Sequence, residues 1–145
     1  MPKIKLKEHE KYNYEYWTTI KVRDINYGRH LGNDALVGLL HEARLDLFHS
    51  FGCNELDLGD GKTGIILGDL AVQFKSQGYM FDKITIGIRI AEIKNASFRI
   101  FYRIKKEENI LALAETGIIT FDYEENMISE IPGIFLEKLN STFND

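Results

Sequence analysis

Five residues whose side chains could do chemistry lie on either side of the start of a long apolar segment in the first third of the chain. They are Asp24, Asn26, His30, Asp34 and Glu42. Backbone amides at the start of a helix are free to stabilise negative charge. A water activated by a carboxylate or a histidine could attack a carbonyl carbon there, and the amides could hold the resulting oxyanion. The pattern therefore permits chemistry at a carbonyl group.

Each of these residues also has a structural interpretation. Asn33 and Asp34 could cap the helix, and Asp24 could pair with a neighbouring arginine. Glu42 could form an ion pair with Arg44, and a loop histidine is commonly held by hydrogen bonds. Burial of Glu42 on an otherwise apolar helix would instead suit it to general-base chemistry near neutral pH. The residues alone leave both interpretations open.

The composition argues against several classes of protein. The net charge is −4, from 18 basic and 22 acidic residues, whereas a general nucleic-acid binder carries a basic excess. The single Cys53 allows no internal disulfide, which fits a reducing, cytoplasmic setting. His41 and Glu42 begin a zinc motif, but Leu45 replaces its second histidine, so no metal site is expected. No nucleotide-phosphate motif, GxSxG nucleophile, signal peptide or membrane span is recognised.

The hydrophobic pattern predicts a single domain over residues 1–145 with one long helix. A strand is predicted from Tyr14 to Val22, followed by a loop. Asn33 or Asp34 is the predicted N-cap of a helix that runs to about Phe51, and its apolar positions leave little polar face. Such a helix is normally enclosed by its fold. Its central stripe consists of Leu36, Leu40, Ala43 and Leu47.

Four strand patterns follow the helix and predict an antiparallel sheet. They cover residues 65–75, 83–93, 97–105 and 111–123. The chain ends are predicted as a loose terminus or edge strand over residues 1–11 and a short amphipathic helix over residues 131–142. The sequence therefore predicts an α+β fold in which a curved sheet of about five strands wraps around one long helix. The open edges of such a sheet favour pairing with a second copy.

This arrangement resembles the hotdog-fold acyl-CoA thioesterases of the 4-hydroxybenzoyl-CoA thioesterase-like family. Their motif has the form V/R-x-x-D-x-D-x-x-G-H-V-N-N, followed by a helix that carries a glutamate and an arginine. The matching stretch here runs from Val22 to Asn33 as VRDINYGRHLGN, and the helix carries Glu42 and Arg44. Weaker matches at residues 74–76, 81–84 and 114–122 extend the resemblance over nearly the whole chain.

The resemblance implies roles for residues of the loop. His30 matches the family histidine, Asn33 the second asparagine and Asp24 the first acidic position. Asn26 stands where the catalytic carboxylate is usual. An amide cannot act as the base, but it can orient a water or donate to a carbonyl. A thioesterase with this loop must therefore activate water with another carboxylate.

Glu42, and after it Asp34, is the candidate for activating water, and His30 could orient the substrate or water or shuttle the proton. Cations at a groove rim stabilise the phosphates of CoA, and the candidates are Arg29, Lys75 and Lys83. Two further candidates for contact with the substrate are Tyr27 and Asn33.

The resemblance implies hydrolysis of a thioester of CoA or of an acyl carrier protein to a free acid and a thiol. It also implies a homodimer or homotetramer with the site at the subunit interface, and no cofactor beyond the CoA of the substrate. Two alternatives stay open. Asn26 fits a non-catalytic module that binds acyl thioesters, and the same fold hosts hydratases and dehydratases of enoyl thioesters.

Overall fold

The computed structural model describes residues 3–144, which form one antiparallel sheet and two α-helices. The elements in chain order are β1 (Tyr14–Thr19), α1 (Asn33–Ser50), β2 (Thr63–Phe74), β3 (Lys83–Ala91), β4 (Ser97–Lys106), β5 (Asn109–Asp122), β6 (Met127–Ile128) and α2 (Gly133–Thr142). The strand order is β1-β3-β4-β5-β2, with the short β6 paired to β5. The predicted α+β fold is confirmed, and β6 is an additional strand that the pattern did not predict.

Alternation along β3 and β4 forms the sheet side of the core. The isoleucines of β3 are at most 1% exposed, because every second side chain of a strand points to the same face. They are Ile84, Ile86, Ile88 and Ile90. The predicted inward face of β4 is also buried, and its Tyr102 lies opposite Ile88 in the register.

Helix α1 buries one face and leaves the other exposed. The predicted stripe of Leu36, Leu40, Ala43 and Leu47 is at most 1% exposed. Val37 and Leu45, by contrast, are 38% and 40% exposed, and Glu42 is exposed as well. The predicted enclosure of this helix on all sides is therefore not found in the single chain, because the sheet covers only one side of it.

The start of α1 differs from the prediction. The N-cap is Gly32, and no side chain caps the helix, so the assignment of Asn33 or Asp34 as the cap is wrong. The amide of Gly32 donates to the carbonyl of Asp24 at 2.9 Å. A Cβ at Gly32 would lie 2.8 Å from Asp34 Oδ1. The preceding loop thus holds the chain at a position where only glycine fits without adjustment.

Strand β1 ends at Thr19, before its predicted end at Val22. The carboxylate of Asp24 accepts a hydrogen bond from the amide of Lys21 at 2.8 Å, and the residues between them form a short 3-10 turn. Val22 is consequently 72% exposed and does not share the inward face of the strand.

The chain before β1 crosses the outer face of the sheet. Residues 3–13 form neither helix nor strand, so no edge strand is found in the described part of the predicted segment 1–11, and residues 1 and 2 lie outside the described residues. The His9 ring lies 4.4 Å from the Phe101 ring, between centroids. The side chain of Tyr12 occupies the space that a Cβ on Gly87 would need. This segment therefore covers apolar surface that the outer face would otherwise expose.

Helix α2 closes one end of the core. Phe135 and Leu139 are at most 1% exposed, and the Phe135 ring lies 5.3 Å from that of Phe48 and 5.9 Å from that of Phe98. The predicted C-terminal helix is present, although it starts at Gly133. In the described part of the chain, neither helix combines the length and the apolar character that a membrane crossing requires.

Strand β2 forms one edge of the sheet. Its residues Leu67, Leu70 and Phe74 lie on the face that meets α1, yet they remain 42%, 42% and 51% exposed. A groove therefore runs between α1 and β2. A long apolar edge strand such as this one is a template for pairing with another chain.

Candidate active site

The loop before α1 is closed by its own backbone. Ile25 and Leu31 form an isolated antiparallel bridge, and the amide of Asn26 donates to the carbonyl of His30 at 2.9 Å. The side-chain oxygen of Asn26 accepts from the amide of His30 at 3.3 Å. Arg29 takes a positive φ of 70° to complete the turn. The loop thus brings Asn26 and His30 together.

The glycine inside this loop leaves room for the histidine ring. A Cβ on Gly28 would lie 3.1 Å from His30 Nε2 and 3.4 Å from Asn26 Oδ1. These distances show that the imidazole and the amide flank the same backbone position. A side chain at Gly28 would therefore compete with His30 for its place.

His30 lines a cavity of about 170 Å³ at the N-terminus of α1, which we call the His30 cavity. Its lining is mainly apolar and consists of His30, Leu31, Asn33, Leu36, Phe74, Ser76, Gln77, Gly78, Leu111 and Ala112. None of these residues is acidic. The His30 cavity therefore offers an imidazole, an amide side chain and a helix terminus to a ligand, but no carboxylate from the same described residues.

The connection between β2 and β3 supplies residues of the cavity that the sequence analysis did not assign to the site. The amide of Leu31 donates to the carbonyl of Gly78 at 2.7 Å and joins the two loops. Ser76 donates to the carbonyl of Ile110 at 2.8 Å, and Gln77 accepts from the hydroxyl of Tyr79 at 2.9 Å. The available signal was the polar stretch with a glycine at residues 75–78, which follows a strand that ends in an exposed phenylalanine.

The three predicted carboxylates lie outside the His30 cavity. Asp24 is engaged with the Lys21 amide. Asp34 is exposed in the first turn of α1, next to Gly32. Glu42 lies on the exposed side of α1 and lines neither the His30 cavity nor the cavity farther along α1 beside Arg44. The predicted burial of Glu42 is therefore wrong for the single chain, because this side of α1 faces away from the sheet.

The predicted substrate-binding residues fall into two groups. Asn33 lines the His30 cavity, and Lys75 lies between two lining residues. Tyr27 and Arg29 are exposed on the loop next to it. Lys83, however, lines a separate open cavity with Trp17 and Phe81 at the β1 edge of the sheet. The structure therefore does not bring Lys83 to the His30 cavity.

A second cavity of about 250 Å³ lies farther along α1, and we call it the Arg44 groove. It is lined by Val37, Gly38, Leu40, His41, Arg44, Leu67, Leu70 and Thr116. Arg44 is only 5% exposed. Its Nε donates to Glu55 Oε2 at 2.6 Å, and its Nη1 donates to the Tyr102 hydroxyl at 3.2 Å. The other Glu55 oxygen lies 2.7 Å from His41 Nε2.

Burial and hydrogen bonding set the charges of this cluster. Burial raises the pKa of Glu55, but the hydrogen bonds from Arg44 and His41 outweigh it and hold the pKa below its usual value. Burial also raises the pKa of Tyr102. The groove is therefore lined by a buried arginine whose charge is balanced by Glu55, next to a neutral phenol. Among residues 3–144, no group of histidine, cysteine and acidic side chains is placed to hold a metal ion.

The fold and the loop define a class of protein. The family model described as the thioesterase-like superfamily matches residues 20–139. The chain therefore belongs to the thioesterase-like superfamily, in agreement with the resemblance carried by the His30 loop. No curated protein sequence matches the chain.

Solved structures of thioesterases share this hotdog fold. The 1,4-dihydroxy-2-naphthoyl-CoA thioesterase Slr0204 from Synechocystis has a TM-score of 0.79 at 16% identity, over 87% of this chain and 94% of that one. The gentisyl-coenzyme A thioesterase BH1999 has a TM-score of 0.76 at 19% identity, over 87% and 99%. The hypothetical protein SAV2348 from Staphylococcus aureus, solved in complex with CoA, has a TM-score of 0.81 at 12% identity, over 89% and 82%. At these identities the likeness establishes the fold.

Proposed function

We propose that this protein is an acyl-CoA thioesterase that hydrolyses the thioester bond to a carboxylic acid and the free thiol of CoA. The observation that carries the proposal is the apolar His30 cavity at the uncapped N-terminus of α1. It is supported by membership of the thioesterase-like superfamily and by named neighbours that act on acyl-CoA or bind CoA.

The start of α1 supplies the stabilisation of negative charge that this reaction needs. Attack of water on the thioester carbon places a charge on the carbonyl oxygen. The helix has no side-chain cap, so the backbone amides of its first turn before Leu36, whose amide bonds the Gly32 carbonyl, are available to that oxygen. The apolar lining around them excludes water and strengthens the interaction.

His30 is the ionisable group of the cavity, and we assign it the positioning of the attacking water and the transfer of its proton. It is half-buried and is held beside Asn26 by the loop. An imidazole can accept a proton near neutral pH. Asn26 cannot, but its amide can orient the water through a hydrogen bond. This division of roles accommodates the asparagine at the position where the family motif has a carboxylate.

We further propose that the site is completed between two copies of the chain. The lining of the His30 cavity has no carboxylate, and the apolar residues Leu67, Leu70 and Phe74 are exposed along the edge strand β2. Pairing of two β2 edges would cover this surface. Such a dimer offers each cavity a carboxylate from the exposed side of the partner's α1, where Glu42 and Asp34 lie.

The proposal is tested by steady-state hydrolysis of a panel of acyl-CoA thioesters, with the released thiol detected by a thiol-reactive dye. We expect turnover by the wild type and a loss of kcat of about 100-fold or more in His30→Asn and in Glu42→Gln. The matched control is Glu125→Gln, which alters an exposed carboxylate in the turn after β5 and should leave kcat unchanged. Release of thiol that is unaffected by His30→Asn would refute the proposed role of the cavity.

The lining of the His30 cavity contains no acidic residue, and this observation also favours a second candidate function. A chain with Asn26 in its loop and no acidic group in the cavity can bind an acyl thioester without cleaving it. This candidate predicts saturable binding in calorimetry with no thiol released across the panel. The hydratase alternative differs again, because it predicts consumption of an enoyl-CoA without release of thiol.

A further inference from the structure

The Arg44 groove lies beyond the His30 cavity along α1, and part of its lining is polar. We propose that it binds the far end of the acyl group and selects acyl chains that carry an oxygen atom there. This inference rests on the proposed thioesterase activity, since it names the substrate class of the same site. It makes Arg44 and Thr116 specificity-determining residues.

The two cavities follow one another between the same three elements. Along α1 the lining passes from Asn33 to His41, a rise of about 12 Å. Along β5 it passes from Ala112 to Thr116, a distance of about 13 Å. The shared elements place the two cavities next to each other, in the same order along α1, β2 and β5. An extended chain of eight carbons spans about 9 Å, and a terminal oxygen with its hydrogen bond adds about 4 Å, so an acyl group of this length held at the start of α1 would reach the Arg44 groove.

Arg44 brings a charged hydrogen-bond donor to this groove. The residue is 5% exposed and lines the groove, and its Nε and Nη1 donate to Glu55 and Tyr102. A guanidinium carries five N–H donors in all, and a hydrogen bond from a charged group is stronger than one between neutral groups. An acceptor oxygen of a ligand against the guanidinium would therefore be bound in preference to a methyl group.

The hydroxyl chain next to Arg44 points to the same chemistry. Tyr102 receives a hydrogen bond from Arg44 Nη1, and its hydroxyl shares a hydrogen bond with Thr116 Oγ1, 3.1 Å away, in which either hydroxyl can donate. Thr116 is 1% exposed and lines the groove, so its hydroxyl is a hydrogen-bonding group that the groove offers to a ligand. Arg44 on α1 and Thr116 on β5 thus place two polar groups at the same part of the groove.

The charge of the cluster admits either a hydroxyl or a carboxylate as that acceptor. Glu55 balances the charge of Arg44, and its second oxygen is bonded to His41. A hydroxyl on the ligand leaves this balance unchanged, whereas a carboxylate adds a negative charge beside the guanidinium. Both ligands place an oxygen acceptor at the end of the acyl chain. Comparing a substrate with a terminal hydroxyl and one with a terminal carboxylate shows which of the two is preferred.

The test compares octanoyl-CoA, 8-hydroxyoctanoyl-CoA and suberyl-CoA, which have the same chain length and differ only at the far end. We expect kcat/KM for at least one oxygenated substrate to exceed that for octanoyl-CoA by about tenfold. Thr116→Val should reduce the ratio of kcat/KM for the oxygenated substrate to kcat/KM for octanoyl-CoA by about the same factor. The matched control is Thr120→Val, on the same face of β5 and fully buried, but absent from the lining of either cavity.

Equal or faster hydrolysis of octanoyl-CoA by the wild type would overturn the inference and leave the thioesterase proposal intact. Absence of hydrolysis of all three substrates would instead contradict the thioesterase proposal. In that case the order of their dissociation constants in calorimetry decides the preference for oxygen. Circular dichroism shows whether Thr116→Val is folded. If it is not, the comparison of the three substrates with the wild-type protein still tests the inference.

Discussion

Replacing Glu55 by glutamine tests how much stability the buried ion pair beside α1 contributes. Arg44 Nε lies 2.6 Å from Glu55 Oε2, and the Arg44 side chain is 6% exposed. Glutamine keeps the size and one acceptor oxygen but removes the charge, so the arginine remains buried without its counter-ion. Breaking a buried pair in this way costs about 3 to 5 kcal/mol. Glutamine can keep one of the hydrogen bonds. We therefore expect the free energy of unfolding to fall by about 3 kcal/mol, at the lower end of this range.

The loss is measured by urea and thermal unfolding, followed by circular dichroism at one fixed protein concentration. A loss of about 3 kcal/mol lowers the Tm of a chain of this size by about 6 to 12 °C. The matched control is Asp69→Asn, which makes the same chemical change in the Asp69–Arg99 pair. That pair has an N···O distance of 2.7 Å, but the Asp69 side chain is 55% exposed. Asp69→Asn should lower the free energy of unfolding by at most about 1 kcal/mol.

The stability difference between the wild type and Glu55→Gln should depend on pH. The folded-state pKa of Glu55 lies below its ordinary value, since the hydrogen bonds from Arg44 and His41 outweigh the effect of burial. The ionised carboxylate therefore stabilises the fold above the unfolded-state pKa, and this contribution is lost as the pH falls through the folded-state pKa. We expect the difference to be largest near neutral pH and to shrink in acid.

The double variant Arg44→Met with Glu55→Gln separates the ion pair from simple loss of packing. Methionine removes the uncompensated charge while keeping an apolar side chain of similar length. The double variant should therefore be more stable than Glu55→Gln alone. A double variant that is less stable than Glu55→Gln, or a stability difference that stays constant into acid, would refute this account of the cluster.

Two further predictions concern the cavity wall and the sheet edge. Gly78→Ala places a methyl group 2.7 Å from Ile20 Cδ1. We therefore expect the free energy of unfolding, measured in urea, to fall by about 1 to 3 kcal/mol. Its control is Gly133→Ala, whose added Cβ meets nothing within 4 Å. Leu67→Lys on the β2 edge should convert the proposed dimer to a monomer in light scattering, whereas Trp17→Lys on the opposite edge strand should not. A monomeric wild type would contradict the proposed assembly.

Local spacing determined which side of each element enters the core. The alternating isoleucines of β3 and the helical stripe of α1 are predictable from the sequence, because a strand repeats every two residues and a helix every 3.6 residues. The loop with Asn26 and His30 is predictable from its glycines and from the family motif, and the hydrogen bonds between these two residues join positions only four apart. The loop geometry therefore follows from a short stretch of chain.

Only the tertiary structure decided what each recognised face would meet. Gly78 reaches the His30 loop from the far end of β2, and Arg44 bonds a tyrosine 58 residues away. The hydrophobic period of a helix or strand identifies its buried side but not the distant residues that pack against that side. These contacts are therefore not predictable from the local sequence. The same reason explains the error at Glu42, which lies on a helix apolar enough to be enclosed. Its exposure depends on whether another surface covers that side of α1, and this is a property of the packed molecule.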